Sequence, residues 1–289
     1  MLTYLAPLLF LLLWSGGFTV AKIGISYADP LTLLALRYAC VVGLLIPFCI
    51  ILRPRLPASR SEFLHVCFVG FLIQCLYFGT AYLAFAQGVS AGGVAIITSL
   101  QPILVALIIP MWARESVSAI RWIGLLLGLT GAVVVITANA SIQIASTAGL
   151  LLAVTALLGI TLATLWEKKF GTEQHPLTAN LIQYSIGVVF TLPVAWYMES
   201  MHIEWTAPFV LALVYLVIGN SLLAISLLLM MIRRREASKV SALFFLVPPV
   251  SALIAWPVLG ERMTLLGWAG MIITATGVYL VMRRTASIG

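Results

Sequence analysis

Apolar residues dominate this chain in long runs, and polar residues fall in short clusters between them. The runs are apolar on every face, so they do not alternate as half-buried strands would. A membrane-crossing helix needs about 20 such residues. Ten runs meet this, at roughly 3–27, 32–52, 62–86, 91–112, 119–138, 147–167, 177–198, 207–232, 238–259 and 265–283. The breaks between them, such as Ala28-Asp29-Pro30 and Arg53–Ser61, are too short to hold a soluble domain. The pattern predicts an all-α integral membrane protein of ten transmembrane helices, and it excludes a β-barrel, whose strands alternate apolar and polar residues.

The pattern is written twice. Shifted by 146 positions, Ala91–Ile136 returns as Ala237–Met282: Pro102 falls on Pro248, Glu115 on Glu261, Trp122 on Trp268, Gly124 on Gly270 and Gly131 on Gly277. Upstream, Pro30-Leu31-Thr32 returns as Pro176-Leu177-Thr178, Tyr38 as Tyr184 and Pro47 as Pro193. The chain therefore reads as one five-helix unit used twice, over 1–138 and 147–284.

Composition agrees. The 289 residues are 62% hydrophobic and only 9% charged, which no water-soluble domain could cover. The net charge of +7 does not indicate nucleic acid, because 13 of the 16 Lys and Arg sit after even-numbered spans. These are Arg53, Arg55, Arg60, Arg114, Arg121, Lys168, Lys169, Arg233, Arg234, Arg235, Lys239, Arg283 and Arg284. Such segregation marks the cytoplasmic side, so both termini are expected there. Five spans per copy then turn the second copy upside down. Inverted repeats of this kind are typical of secondary transporters, with a solute site near the midplane between the halves. The N-terminus lacks a basic lead and a small-residue cleavage site, so residues 3–27 are read as a span and not a signal peptide. Cys40, Cys49, Cys67 and Cys75 lie in apolar runs without a CxxC pair and are read as core residues.

Trp14-Ser15-Gly16-Gly17-Phe18, followed by Lys22, Pro30 and Arg37, resembles the opening signature of EamA-type transporters of the drug/metabolite transporter superfamily. Pro102…Arg114-Glu115…Gly124…Gly131 and Pro248…Leu259-Gly260-Glu261…Gly270…Gly277 resemble that family's closing signature in each half. The resemblance implies ten spans and export or exchange of small metabolites across the inner membrane. More narrowly, the chain is similar to YddG-type aromatic amino acid exporters. It departs at Ala113-Arg114-Glu115, where the family often has Leu-Gly-Glu.

Several residues could line a solute path. Gly16 and Gly17 are expected to interrupt span one, Pro102 span four, and Pro248 and Pro249 span nine. Unwound backbone at membrane depth is tolerated where it faces protein or a watery cavity. Arg37, the one basic residue inside a span, either receives a substrate carboxylate, or snorkels outward, or pairs with Asp29. Phe18 shares a face with Phe10 and Trp14, and Tyr82 shares one with Gln74 and Phe78, beside Tyr77. Thr98, Gln101, Trp166, Tyr184, Asn220, Ser241, Phe244 and Phe245 complete the candidate set for an aromatic, zwitterionic solute. All nine acidic residues lie at span ends or in loops, which speaks against a proton relay through a buried carboxylate and for facilitated diffusion or exchange. Glu115 and Glu261 are read as turn anchors.

The runs Gly124…Gly128…Gly131 and Gly267…Gly270…Gly277 allow close helix approach, either within the core or in a homodimer contact. The expected partners are a small-molecule substrate and the lipid bilayer, with no cofactor and no metal. Rival readings are an exporter of other metabolites or lipophilic cations, a membrane enzyme, and a channel.

Overall fold

The computed structural model describes residues 2–89, 91–112, 117–139, 146–171, 174–234, 237–259 and 264–282. The expected turn anchors Glu115 and Glu261 lie outside these. The described residues form helices α1 (Leu2–Gly24), α2 (Pro30–Leu52), α3 (Arg60–Ala86), α4 (Ala91–Thr98), α5 (Gln101–Trp112), α6 (Ala119–Asn139) and α7 (Thr147–Phe170). They continue as α8 (Pro176–Met198), α9 (Ala207–Arg233), α10 (Ala237–Ala242), α11 (Val247–Leu259) and α12 (Leu265–Met282). Among the described residues, seven helices are long and apolar enough to cross a membrane: α1, α2, α3, α7, α8, α9 and α12. The outer faces carry large exposed apolar side chains, among them Met111 at 90% and Tyr197 at 91% exposure, whereas arginine and glutamine side chains are buried inside. Such a surface is stable against lipid and not against water. The chain is an integral membrane protein.

Local chemistry sets the helix ends. Ser59, Ser146 and Thr206 accept hydrogen bonds from the backbone N–H of Glu62, Gly149 and Phe209. Pro30 and Pro176 open α2 and α8, where a missing N–H costs nothing. The break between α4 and α5 falls at Ser99-Leu100, just before Gln101-Pro102. There Thr98 and Ser99 donate their hydroxyls to the carbonyls of Val94 and Ala95, a bond that competes with regular helix geometry. Between α10 and α11 the chain tightens to a 3₁₀ turn over Leu243–Leu246, ahead of Pro248 and Pro249.

Two expectations about helix irregularity change. Gly16 and Gly17 do not interrupt span one, because α1 runs unbroken through both. The unusual backbone lies instead in α3 and α9, whose centres widen to π-helix over Phe71–Gly79 and Tyr215–Ala224. The 146-residue shift nearly superimposes these two stretches.

Two helix pairs form the frame. α2 packs along α8, and α6 along α12. Small residues let the second pair touch backbone to backbone: a Cβ added at Gly124 would lie 2.6 Å from the Gly277 carbonyl, and one at Gly277 would lie 2.6 Å from the Gly124 carbonyl. Gly131 and Gly270 approach each other in the same reciprocal way. The glycine runs thus face one another within the chain.

At one end, the turn before α2 is clasped to the segment after α8. Glu199 accepts hydrogen bonds from the N–H groups of Leu31 and Thr32 and from the Thr32 hydroxyl, at 2.7–2.8 Å. Its carboxylate caps the exposed N–H groups at the positive end of α2. Asp29 accepts from the Ser200 hydroxyl and the His202 N–H. Residue 203 pairs with Ala28 in an isolated antiparallel bridge.

Gly131→Ala should lower the thermal unfolding temperature in detergent. Its Cβ would meet the Thr274 backbone nitrogen at 2.4 Å, an overpacking that costs about 1–3 kcal/mol. Gly43→Ala, with nothing within 4 Å of the added carbon, should leave the unfolding temperature unchanged or slightly raised. Equal losses at both sites would contradict this packing.

The Ser200 hydrogen bond, chiefly, holds the Asp29 carboxyl below the usual aspartate range. The folded form therefore gains from the ionised carboxylate above the ordinary aspartate pKa and loses that gain as pH falls through the lowered value. Asp29→Asn should be slightly less stable than the parent at neutral pH, and the difference should vanish in acid. A difference that grows in acid would contradict this assignment.

Candidate functional site

The π stretch of α9 presents Asn220 and Ser221 side by side to Arg37 of α2. The Arg37 side chain is 0% exposed. Its Nε donates to Ser221 Oγ and its Nη2 to Asn220 Oδ1, each at 2.7 Å. Nη1 has no hydrogen-bond partner. The guanidinium carbon stands 4.6 Å from the centre of the Phe78 ring, within range of a cation–π contact. Arg37 therefore neither snorkels outward nor pairs with Asp29, which is engaged with Ser200 and His202. A buried guanidinium needs satisfied N–H groups more than it needs distance-spanning charge, and α9 supplies acceptors beside it.

Gly16 and Gly17 are what let α9 come so close. A Cβ at Gly17 would lie 2.3 Å from Asn220 Nδ2, and one at Gly16 would lie 2.3 Å from the Tyr215 hydroxyl. Tyr215 donates its hydroxyl to the Leu13 carbonyl at 3.0 Å, and Asn220 Nδ2 donates to the same oxygen at 3.4 Å. The glycine pair is a niche for α9 rather than a break in α1.

Aromatic rings close the space in front of Arg37. Trp14 lies parallel to Tyr77 with ring centres 6.0 Å apart, tilts against Phe78 at 5.8 Å, and meets Phe244 edge-on at 5.6 Å. Phe10 backs Trp14 at 5.3 Å. A cavity remains between Trp14, Gly17, Phe18 and Ala21 of α1, Tyr77, Phe78, Ala81, Tyr82 and Phe85 of α3, and Arg37 and Asn220. Its volume is about 20 Å³, room for about one water molecule. Small-solute sites are typically about 300–1,000 Å³, so the rings are shut in this conformation. A smaller void of about 10 Å³ is lined by Phe18 together with Ala95, Thr98, Ser99, Phe244, Val247 and Pro248. Phe18 lines both.

The other candidates separate into neighbours and outsiders. Gln101 donates to the hydroxyls of Thr164 and Ser241, tying α5 to α7 and α10. Tyr38 and Tyr184 meet with ring centres 5.5 Å apart where α2 crosses α8. Tyr38 donates to the Gln74 carbonyl at 2.8 Å, while the Gln74 side chain and the Tyr184 hydroxyl are buried near each other outside the cavity wall, without a hydrogen bond of good geometry. Pro102 and Pro249 are buried but line neither void. Trp166 is not at the cavity. It sits in the last turns of α7, packed on Phe68 at 4.6 Å and Phe170 at 4.5 Å, facing a lateral groove. Phe245 also points elsewhere and fills the space left by Gly128 of α6. Glu167, expected at a span end, is buried there and ion-paired with Arg233.

Ser221, Ala21, Ala81 and Phe85 were not anticipated. The repeat carried a usable signal for Ser221: the shift places Gln74-Cys75 on Asn220-Ser221, and Arg37 on Gln183. The alanines and Phe85 have no polar signature that distinguishes them from packing.

Known proteins resemble the chain along nearly its whole length. The profile of the EamA-like transporter family matches residues 1–137 and again 147–283. A Bacillus subtilis protein named as an uncharacterized transporter, YvbV, is 29% identical over 285 residues, covering 96% of this chain and 92% of its own. A Salmonella typhimurium protein named as a probable amino-acid metabolite efflux pump is 25% identical, covering 97% and 96%. An Escherichia coli protein of the same name is 23% identical, covering 94% and 92%. A solved crystal structure superposes with a TM-score of 0.79 over 96% of both chains at 17% identity, a likeness of fold. With an all-helical fold that exposes apolar faces and buries an arginine among rings, the chain belongs to the EamA-like transporter family and is a transporter, not an enzyme.

Proposed function

We propose that this protein exports or exchanges small metabolites, chiefly aromatic or apolar amino acids, across the cytoplasmic membrane by alternating access. The observation that carries the reading is the shut, ring-lined cavity with a buried arginine, built from α1, α2 and α3 of one half and α9 of the other. A solute passing it needs the two halves to part, first on one side and then on the other. The amino-acid efflux names of two relatives support the substrate class.

The moving parts are two inverted five-helix halves, 1–138 and 147–284, with ten spans and both termini cytoplasmic. The broken pairs α4/α5 and α10/α11 each count as one span. The reciprocal contacts of Gly124 with Gly277 and of Gly131 with Gly270 support a two-fold relation. In such a relation, a residue and its repeat mate exchange partners. Glu167, buried but ion-paired with Arg233 at a helix end, offers no deep carboxylate for a proton relay, which favours exchange.

Purified protein in liposomes preloaded with unlabelled phenylalanine should drive transient accumulation of the labelled amino acid. Non-saturating flux without counterflow would overturn the carrier reading in favour of a channel. In a cysteine-free background, single thiols placed at the two ends of the chain should react from the same side of the membrane; reaction from opposite sides would end the ten-span scheme. Gly17→Ala pushes the Asn220 amide away from Arg37 and weakens a charge-assisted hydrogen bond, an effect of about tenfold or more in apparent affinity. Gly43→Ala should transport like the parent, and equal transport by both variants would contradict a role for the α1–α9 niche.

A further inference from the structure

In the cavity wall, Arg37 Nη1, Trp14 Nε1 and Tyr82 Oη make no hydrogen bond of good geometry, although Tyr82 stands near Arg37 and Trp14 near Tyr77. Their side chains are 0%, 2% and 2% exposed, so water outside the protein does not serve them. Each can donate a hydrogen bond, Arg37 and Trp14 can only donate, and Arg37 brings a full positive charge. Among the described residues that line the cavity none is acidic. Asn220 Oδ1 is already taken by Arg37 and Asn220 Nδ2 by the Leu13 carbonyl. The cavity therefore offers donors and a cation at one end and the rings of Phe18, Tyr77, Phe78 and Phe85 around the rest. An acceptor-rich anion on an apolar body satisfies this set, and an ammonium group finds no carboxylate.

We propose that the site recognises its solute by the carboxylate and the apolar body, with Arg37, Trp14 and Tyr82 as the carboxylate's donors, so that the α-amino group is dispensable. The substrate class is aryl- and alkyl-substituted monocarboxylates, which includes amino acids and their deaminated counterparts and excludes lipophilic amines. A guanidinium and a carboxylate form strong paired hydrogen bonds, and the pairing neutralises a charge that is otherwise buried alone. This deepens the carrier reading above and depends on it for the word substrate, but not for binding.

Two measurements separate the claims. Thermal stabilisation of the detergent-purified protein reads binding, and inhibition of phenylalanine counterflow in liposomes reads transport. The probes are L-phenylalanine, 3-phenylpropanoate, phenethylamine and the neutral 3-phenylpropanol. 3-Phenylpropanoate should stabilise the protein and compete about as well as phenylalanine. Phenethylamine and phenylpropanol should be at least about tenfold weaker, as loss of a charge-assisted bond implies. Arg37→Gln should erase the preference of acid over amine, and Tyr82→Phe should reduce it while leaving the fold intact. Counterflow in which phenethylamine equals or exceeds 3-phenylpropanoate overturns the proposal and leaves the carrier reading standing. Stabilisation by 3-phenylpropanoate without any counterflow supports the carboxylate site and overturns the carrier reading. Stabilisation by none of the four probes overturns the proposal.

Discussion

A permanently charged guanidinium, fully buried in a bundle made for lipid, is the constraint on which the rest of this structure depends. Such burial is expensive unless the charge is paired or richly hydrogen-bonded. Here the partners are neutral: an amide oxygen, a hydroxyl and the face of a phenyl ring. Holding them in place shapes the neighbouring helices. Gly16 and Gly17 remove two side chains so that α9 can approach α1. The centre of α9 widens to a π-helix that carries Asn220 and Ser221, a form of backbone concentrated at functional sites. One guanidinium nitrogen is still left without a hydrogen bond.

The frame around this charge is built from like pairs. α2 lies on α8 and α6 on α12, each pair joining repeat mates, and the glycine contacts of the second pair are reciprocal. The repeat is broken where chemistry is concentrated. Arg37 has Gln183 as its mate, so only one half carries the buried cation. Glu199, which caps α2 and fastens one end of the α2–α8 pair, has Arg53 as its mate. An arginine has no acceptor to offer a helix N-terminus, and the first turn of α8 is instead served by His175 through the N–H of Leu177. The two ends of the central pair are thus held by different means.

Much of this was legible in the sequence because it depends on hydropathy and on residues with strong backbone preferences. Seven of the ten apolar runs are described helices long enough to cross a membrane, and Pro102 and Pro248 each follow a change of backbone, Pro248 beside the small void. Four features were not legible. Gly16-Gly17 looked like a break, because a glycine pair in isolation cannot be distinguished from a niche whose occupant lies some 200 residues away. The π stretches of α3 and α9 leave no trace in hydrophobic pattern, since the residues there are inward or lipid-facing under either helical period. Arg37 offered Asp29 as its nearest acidic partner in sequence, whereas its partners are neutral residues of the other half. Trp166 and Phe245 carried the same aromatic signature as Trp14 and Phe244, and only packing sorts the ring at a bundle edge or a glycine gap from the ring at a cavity.

The central claim is that the free donor of Arg37 faces the solute. A structure determined with 3-phenylpropanoate bound tests it most directly. The account predicts the carboxylate within hydrogen-bonding reach of Arg37, about 2.7–2.9 Å, with the ring against Trp14 and Phe78 and the cavity enlarged to hold it. A bound acid found elsewhere, with Arg37 still closed on Asn220 and Ser221 and the rings unmoved, would contradict it.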